Sequence, residues 1–439
     1  MALGGGTWTS QNKVLPGTYV VFSNVQMASA TLSDRGVAAI PVALDWGPVG
    51  EVFTVTSGDF QKKCKPIFGY SYEHDNMLPI REIFKHATSV HFYRLTASNA
   101  VKAKNDFATA KYPGVRGNAL SIVITANVDE PTKFDVQTYL DLTCIDTQTV
   151  KTSSELVAND YVTFSSAVLK LTASTPLTGG SNGDEIDGDA YQKALDAFEG
   201  VSFNALGCPS TNATIIGLFT AFVKRMRDEV GAKFQVIVHQ TAADYEGVIS
   251  NENNLVNAPD SVGAAGLVYW LTGAEAACEV NKSLTNAKYD GELEILTNHT
   301  QTQLSQALQA GKLIFHKVNG DVRILEDVNT LQTTTDTHGD VFKSNQTIRV
   351  IDQIANDVAV LFNTRYLGVV PNDAAGRTSL WNDIVKLHQT LETMRAITDF
   401  SPDSVTVDQG DTKKSVVCTV QDLNIVNAMA QLYMSVIIA

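Results

Sequence analysis

The spacing of apolar residues divides the chain into stretches that predict different secondary structure. In the first hundred residues, apolar runs of strand length occupy 19–22, 37–44 and 91–95, and a short helical pattern covers 78–86. From about residue 96 to 180 the pattern changes to short alternating strands between polar turns. Such a series predicts a small all-β unit. Its strands are predicted at 119–126, 132–142 and 161–171.

Beyond the glycine-rich residues 179–183, helical patterns alternate with apolar strands. This alternation predicts an α/β layer. The predicted helices are at 191–198, 215–230 and 262–278, and the predicted strands are at 201–206 and 234–239. Asn319-Gly320 then stands between two apolar alternating segments. This dipeptide accepts the positive φ angles of a tight turn, so it predicts a β-hairpin.

The last hundred residues have an α+β pattern. Two amphipathic helices are predicted at 347–363 and 379–397, followed by a strand at 416–420. The apolar face of the first helix comprises Ile348, Ile351, Ile354, Ala355 and Val358. The buried stripe of the second comprises Trp381, Ile384, Val385, Leu391 and Met394.

The terminal residues 432–439 are apolar and β-branched up to the last position. Chain ends are usually polar and frayed, so an apolar end is expected to be buried against another surface. That surface belongs either to the same subunit or to an open sheet edge of a neighbouring subunit, and the residues alone leave both possibilities open. The candidate inter-subunit strand arms comprise Tyr19, Val20, Val21, Phe22, Val416, Val417, Val420, Val436, Ile437 and Ile438.

Composition narrows the class of protein. The chain has 439 residues, 44% hydrophobic and 18% charged, which is typical of a globular protein of two to four domains. Its formal net charge of -14 and the lack of a Lys/Arg cluster argue against nucleic-acid binding. No apolar stretch reaches the roughly 20 residues of a membrane helix. The N-terminus lacks the pattern of a signal peptide, so we expect a soluble protein that is not exported.

The sequence offers no pattern for a metal or a cofactor. Five cysteines are far apart and never form a C-x-x-C pair, so we expect reduced thiols in a cytosol rather than disulfides or a zinc site. The eight histidines include no H-E-x-x-H motif and no pair spaced i, i+4 on one helix. Neither a P-loop nor a dinucleotide-binding fingerprint is present. We therefore expect no metal and no cofactor.

Two groupings raise an enzyme hypothesis. Residues 179–183 (GGSNG) satisfy the G-x-S-x-G pattern and nominate Ser181 as a nucleophile. The residues before it do not form a buried strand, and the acidic residues after it would oppose an oxyanion. Cys208 and His239 each end an apolar strand, where such residues are mostly packing groups. We therefore expect the chain not to be an enzyme.

The order of several segments resembles the contractile tail sheath proteins of myophages, phage-like particles and R-type bacteriocins. The likeness spans nearly the whole chain, and it is the order and spacing of individually weak motifs that carry it. The segments are 14–20 (VLPGTYV), 35–41 (RGVAAIP), 46–48 (WGP), 111–118 (KYPGVRGN), 177–183 (LTGGSNG), the hairpin through Asn319-Gly320 with 322–331, and the helix near Thr347 with Arg349, Val350 and Asp352.

The resemblance implies a structural protein whose copies form rings, usually of six, that stack helically around an inner tube and contract to drive it through a bacterial envelope. It implies a multidomain α/β and α+β fold. The parts are an N-terminal arm at 1–25, an α/β segment at 26–95, an inserted β-sandwich at 96–182, a subtilisin-like α/β core without a catalytic triad at 183–336, and a C-terminal α+β domain at 337–439 that ends in a donated strand.

The resemblance also implies the partners and the location. The partners are other copies of the chain, the tail tube protein, and baseplate and tail terminator proteins, with no nucleic acid and no membrane insertion. Assembly takes place in the cytoplasm of the bacterial host, and the product is part of the tail of a virion or phage-like particle. The arms of each copy are laid into neighbouring copies as added strands.

One helix is a candidate for the contact with the tube. In the pattern at 379–397, Lys386, His388 and Arg395 place basic groups on an otherwise acidic protein. The alternative is a solvated helix face with scattered charges. Two other classes also remain open at this stage: a hydrolase with a serine nucleophile, and a non-contractile shell or surface-layer protein.

Overall fold

The computed structural model describes residues 32–438, and every structural statement below concerns these residues. They divide into two compact units. The larger comprises 33–356, 391–400 and 423–438, and the smaller comprises 357–390 and 401–422 with Leu32.

The helices and strands are as follows. The strands are β1 (Val37–Ala43), β2 (Val52–Thr56), β3 (Ser89–Leu95), β4 (Ala108–Ala110), β5 (Leu120–Ala126), β6 (Phe134–Leu140), β7 (Thr143–Val150), β8 (Val162–Phe164), β9 (Thr172–Pro176), β10 (Ala205–Gly207), β11 (Gln235–His239), β12 (Val248–Asn251), β13 (Lys312–Leu313), β14 (Phe315–Val318), β15 (Asp321–Ile324), β16 (Ile397–Thr398), β17 (Val405–Gln409), β18 (Val416–Val420) and β19 (Asn424–Ile425). The α-helices are α1 (Ser57–Phe68), α2 (Leu78–Ile83), α3 (Gly188–Phe198), α4 (Ala213–Arg225), α5 (Leu267–Ala277), α6 (Gln301–Gln309), α7 (Asn345–Leu361) and α8 (Ala374–Thr393). Single π-helical turns at Met226–Val230 and Phe362–Tyr366 extend α4 and α7.

A seven-stranded sheet with the order β13-β12-β11-β10-β1-β3-β2 forms the centre of the larger unit. Its neighbouring strands run parallel except β2, which is antiparallel to β3. Helices α1, α2 and α5 pack on one face, and α3 and α4 pack on the other. Because both faces are covered, a central strand such as β1 (VAAIPVA) is apolar throughout. The sheet combines strands from before and after the β-rich stretch, so that stretch is an insertion.

The insertion is a β-sandwich. A four-stranded sheet with the order β7-β6-β5-β9 faces the short pair β4 and β8. Alternating residues of β5 and β6, such as Ile122 and Val136, are buried between them. The predicted strand at 161–171 is too long: only Val162–Phe164 is a strand, because Val168 and Leu171 lie largely exposed and bury no common face.

Four segments that are separate in sequence meet where the sandwich joins the sheet. The Arg94 side chain, at the end of β3, donates from Nε to the Leu44 carbonyl (2.8 Å) and from Nη1 to the Gly47 carbonyl (3.0 Å). The Asp45 carboxylate accepts from the Tyr70 hydroxyl (2.7 Å) and from the Asn182 amide (2.8 Å). Burial lowers the pKa of Arg94 to about 10, which leaves the side chain charged at neutral pH.

Trp46 and Gly114 make this joint tight. Trp46 is buried within the sandwich core, 5.2 Å from Tyr112 and 6.1 Å from Tyr161 between ring centroids, and its Nε1 donates to the Pro66 carbonyl. Gly114 has φ +133°, and a Cβ there would stand 2.1 Å from the Asp45 carbonyl oxygen. Only glycine fits such a backbone approach. The sandwich is therefore fixed to the sheet by packing as well as by two chain crossings.

The smaller unit is built on the first part of α8 and on the hairpin of β17 and β18. The Trp381 Nε1 donates to the Val405 carbonyl at 2.9 Å, which fixes β17 on the helix. The predicted helix at 379–397 begins earlier, at Ala374, and ends at Thr393. It cannot continue because Arg395 has φ +61°, outside the helical region. No helix among residues 32–438 is long and apolar enough to cross a membrane.

We expect Trp46→Ala to lower the free energy of unfolding by about 3–5 kcal/mol, because it leaves a cavity where the sandwich meets the sheet. Urea unfolding followed by circular dichroism measures this. The matched control is Val128→Ala, on a sandwich turn where the side chain is exposed, and it should be neutral. A loss below about 1 kcal/mol for Trp46→Ala would show that the joint is loosely packed.

Candidate assembly site

Ser181 lies at the exit from the sandwich, in a position defined by backbone pairing. Its N–H donates to the Val101 carbonyl (3.0 Å), and its own carbonyl accepts from the Val101 N–H (2.9 Å). Its hydroxyl oxygen accepts from the Gly183 N–H at 3.0 Å. These contacts make residues 179–183 a junction where the chain returns to the sheet. The G-x-S-x-G pattern is explained by this turn.

Cys208 and His239 are both packing residues. Cys208 belongs to the apolar cluster beneath α3 and α4, and burial raises the pKa of its thiol to about 12. Such a thiol stays protonated and is a poor nucleophile. His239 is buried, and burial lowers its pKa. Within residues 32–438, no group of three or more His, Cys, Asp or Glu is placed to hold a metal ion.

The C-terminal segment is the most exposed apolar feature of the described chain. It follows β19, which pairs antiparallel with β16. From Met429 onward the large apolar side chains are 71–101% exposed. They are Met429, Leu432, Tyr433, Met434, Val436, Ile437 and Ile438. Residues 426–438 belong to no strand or helix, so the terminal strand is not covered within its own described chain.

The other predicted arm residues have different positions. Val416, Val417 and Val420 do form a strand, β18, but β17 of the same chain pairs with it along its whole length, from Val405↔Val420 to Gln409↔Val416. One edge of β18 is therefore occupied within its own chain, and its role between subunits stays a prediction. Tyr19, Val20, Val21 and Phe22 lie outside the described residues.

The candidate tube-facing residues separate into two exposed and one buried. Lys386, on α8 in the smaller unit, and Arg395, beyond the helix end in the larger unit, are exposed. His388 is 1% exposed, and its Nδ1 lies 2.8 Å from the Ile384 carbonyl oxygen. Burial lowers its pKa, so the ring is neutral at physiological pH. His388 therefore presents no charge at the surface of the described chain, which corrects the expectation for this residue.

A buried ionic cluster around Arg349 is a feature that the sequence patterns missed. The Arg349 guanidinium donates from Nη1 to Glu275 (2.5 Å) and from Nη2 to Asp327. Arg35 donates to the Glu275 carbonyl oxygen (2.9 Å) and also approaches the Glu275 carboxylate (3.4 Å). Asp327 further accepts from Asn345 Nδ2 at 2.9 Å. The cluster joins the start of β1, the last turn of α5, the segment after β15 and the first half of α7.

The electrostatics of the cluster follow from its burial. Burial raises the pKa of Asp327, but the Arg349 guanidinium outweighs this effect and holds that pKa below its usual value. Burial raises the pKa of Glu275 to about 7 against the opposing effect of Arg349. A second buried pair, Arg227 Nη1 with Asp352 at 2.5 Å, fixes the same helix α7 to the end of α4. A buried charge needs such partners, since desolvating it alone is costly.

Sheath-protein family models match four consecutive parts of the chain. The Tail sheath protein Gp18 domain III N-terminal region matches residues 35–95, and the Phage tail sheath protein beta-sandwich domain matches 96–182. The Phage tail sheath protein central domain matches 184–330, and the Phage tail sheath C-terminal domain matches 337–439. The chain belongs to the phage tail sheath protein family, the tail sheaths of contractile injection systems.

Known relatives agree over almost the full length. The phage-like element PBSX protein XkdK of Bacillus subtilis strain 168 is 32% identical over 437 residues, covering 91% of this chain and 92% of that protein. The crystal structure of the sheath tail protein from Desulfitobacterium hafniense matches with 37% identity and a TM-score of 0.77, covering 90% of this chain and 93% of that one.

A more distant structure shares the fold alone. The helical sheath of the anti-feeding prophage in its contracted state matches with a TM-score of 0.58 at 10% identity, covering 97% of this chain and 99% of that one. The relatives and the matched domains are structural sheath proteins, so the role of the chain is structural. Its fold is a multidomain mixed α/β fold with a β-sandwich.

We expect Arg349→Met to lower the free energy of unfolding by about 3–5 kcal/mol at pH 7, because it removes the cation of buried Asp327 and leaves buried Glu275 with only Arg35. Lowering the pH toward 5 should restore part of this loss. The folded variant then binds protons on carboxylates of raised pKa that the unfolded chain still holds ionised. Chemical unfolding at both pH values measures the effect.

Arg225→Met is the matched control. Its ion pair with Glu199 is about 40% exposed on both sides, so its loss should leave the free energy of unfolding almost unchanged. A loss for Arg349→Met as small as that of the control, or one that grows on acidification, would contradict a structural role for the cluster.

Proposed function

We propose that this chain is the protomer of a contractile sheath whose copies stack in rings of six around the tail tube. On contraction the sheath drives the tube through a bacterial envelope. The core follows a subtilisin-like α/β plan without a catalytic triad, and its domains are divided at about residues 25, 95, 182 and 336. Assembly takes place in the bacterial host cytoplasm as part of a virion or phage-like particle tail, with tube, baseplate and tail terminator proteins as partners.

The observation that carries this proposal is the exposed apolar C-terminal segment. Its ten residues from 429 to 438 would extend to about 30 Å as a strand, enough to reach a neighbouring copy. Uncovered apolar side chains on an unpaired backbone are unfavourable in water. A sheet edge on another copy provides hydrogen-bond partners for the backbone groups of the segment, and the sheet buries its apolar side chains.

The hairpin of β17 and β18 supplies a suitable acceptor. It is a two-stranded sheet, and within the described residues no further strand pairs with the opposite edge of either strand. An isolated pair of strands is marginally stable and gains from additional strands. Val416, Val417 and Val420 then act as an acceptor edge, and Val436, Ile437 and Ile438 as the donated strand. Tyr19, Val20, Val21 and Phe22 are proposed as a second donated strand.

A donated strand suits a machine that changes shape. Its main-chain hydrogen bonds stay within one small sheet, so rings held together by such strands can rotate and slide as rigid bodies without losing their connections. The free energy of contraction comes from new contacts between copies, stored as metastability during assembly. Nucleotide hydrolysis is not needed for this cycle.

We expect the purified full chain to form hollow helical tubes in negative-stain electron microscopy, and deletion of residues 432–439 to abolish them. Ile437→Pro should have the same effect, because proline removes a backbone donor that the added strand needs. The matched control is Ile437→Val, which keeps the N–H and the β-branched side chain. Tubes from the proline variant would contradict strand donation, and monomers from the full chain would contradict self-assembly.

We further propose that Lys386 and Arg395 contact the tube, since they are exposed cations on a protein of net charge -14. Lys386→Glu and Arg395→Glu, each tested singly, should prevent co-assembly with purified tube protein while self-assembly persists. The control is Lys62→Glu, which makes the same charge change on the exposed face of α1. Co-sedimentation measures binding, and normal co-assembly by both variants would contradict the assignment.

A further inference from the structure

Helix α7 holds the root of the C-terminal segment. Gln346 is 2% exposed; its Nε2 donates to the Val426 carbonyl (3.1 Å), and its Oε1 accepts from the Ala428 N–H (2.9 Å). The Thr347 hydroxyl and the Asn427 amide stand 3.3 Å apart beside them. The glutamine amide thus reproduces the paired donor and acceptor of a neighbouring β-strand. Residues 426–428 are fixed at this point, and the exposed segment begins at Met429.

The same helix holds the chain where it enters the larger unit. Gln353 is 3% exposed, and its Nε2 donates to the Ser33 hydroxyl (2.8 Å) and to the Ser33 carbonyl (3.2 Å). Two residues further on, Arg35 is bonded to Glu275 at the end of α5. Ser33 and Arg35 are therefore anchored immediately after the point where the described chain begins.

These two contacts lie on one stripe of α7. Gln346 and Gln353 are seven residues apart, which is almost two full turns, so their side chains leave the helix in nearly the same direction about 10 Å apart. Arg349 lies between them and connects the helix to Glu275 and Asp327. One short helical segment therefore carries the two chain roots and the ionic cluster, in addition to the buried Asp352–Arg227 pair that fixes it to the end of α4.

We propose that residues 346–353 of α7 form a yoke that links the N-terminal arm of each copy to its C-terminal arm. This inference rests on the proposed function, in which both arms reach into other copies of the chain. Tension between neighbouring copies then passes through two turns of one helix. Because Arg349 is ion-paired with Glu275 and Asp327, the core moves together with the arms. Gln346 and Gln353 are the positioning residues of this device.

The test uses the full chain with Gln346→Met and Gln353→Met, which keep side-chain length and remove the hydrogen bonds. Gln306→Met, on the exposed face of α6, is the matched control. Each yoke variant should raise the critical concentration for tube assembly by roughly tenfold, the effect of losing one or two hydrogen bonds in a repeated connection. The unfolding temperature should fall by only a few degrees. Tubes at the wild-type critical concentration would overturn the proposal.

Limited proteolysis separates a common yoke from two independent clamps. Gln346→Met should expose only the C-terminal root to cleavage and Gln353→Met only the N-terminal root, whereas Arg349→Met should expose both in one preparation. Cleavage of a single root in Arg349→Met would overturn the yoke.

Hydrogen exchange of the wild-type chain tests the clamp even if a variant fails to fold. The Ala428 amide should be protected, and exchange at the rate of an unstructured peptide would overturn the proposal. If the wild-type chain forms no tubes, the proposed function is contradicted. If the wild-type chain forms tubes and the Gln346→Met and Gln353→Met variants form them at the same critical concentration, only the yoke is contradicted.

Discussion

The burial of the Arg349 guanidinium is the constraint on which the arrangement of the larger unit depends. A buried cation needs carboxylate partners, and its partners here come from α5 and from the segment after β15. Buried ion pairs contribute little net stability, because desolvation offsets the attraction. Their effect here is on geometry: the cluster is satisfied only when the start of β1, the last turn of α5 and α7 meet in one arrangement. The cluster therefore fixes the position of α7 relative to α5 and the segment after β15.

The joint between sandwich and sheet meets a similar requirement by different means. Arg94 is buried and bonds to backbone carbonyls, while Trp46 fills the sandwich core from the sheet side. Close packing transmits displacement because it leaves no empty space between the side chains. The inserted sandwich therefore follows the sheet as a rigid attachment. The C-terminal segment is apolar and exposed in the described chain, and no further strand pairs with the β17–β18 hairpin.

Much of this organisation could be predicted from the sequence, because it depends on local patterns. Alternating strands identified the sandwich, the α/β alternation identified the layered core, and Asn319-Gly320 gave the hairpin of β14 and β15. The motifs at 46–48, 111–118 and 177–183 were recognisable, and the structure shows why they belong together: Trp46, Gly114 and Asn182 meet at one joint.

The remainder depends on contacts between distant residues, which no local pattern encodes. Arg35, Glu275, Asp327 and Arg349 are spread over more than 300 positions, so their cluster was invisible even though Arg349 had been noted. The β17–β18 pairing was missed because β18 reads equally well as a free or a paired strand. His388 was grouped with Lys386 and Arg395 because all three side chains are basic. It lies four residues after the buried Ile384, on the same buried face of α8.

The most direct test of the account is a cryo-electron microscopy reconstruction of tubes assembled from the purified full chain. The account predicts that Val436, Ile437 and Ile438 of one copy form a strand on the β17–β18 hairpin of another, with Gln346 still bonded to residues 426–428. A terminal segment folded back onto its own copy, with the hairpin edges empty at every interface, would contradict it.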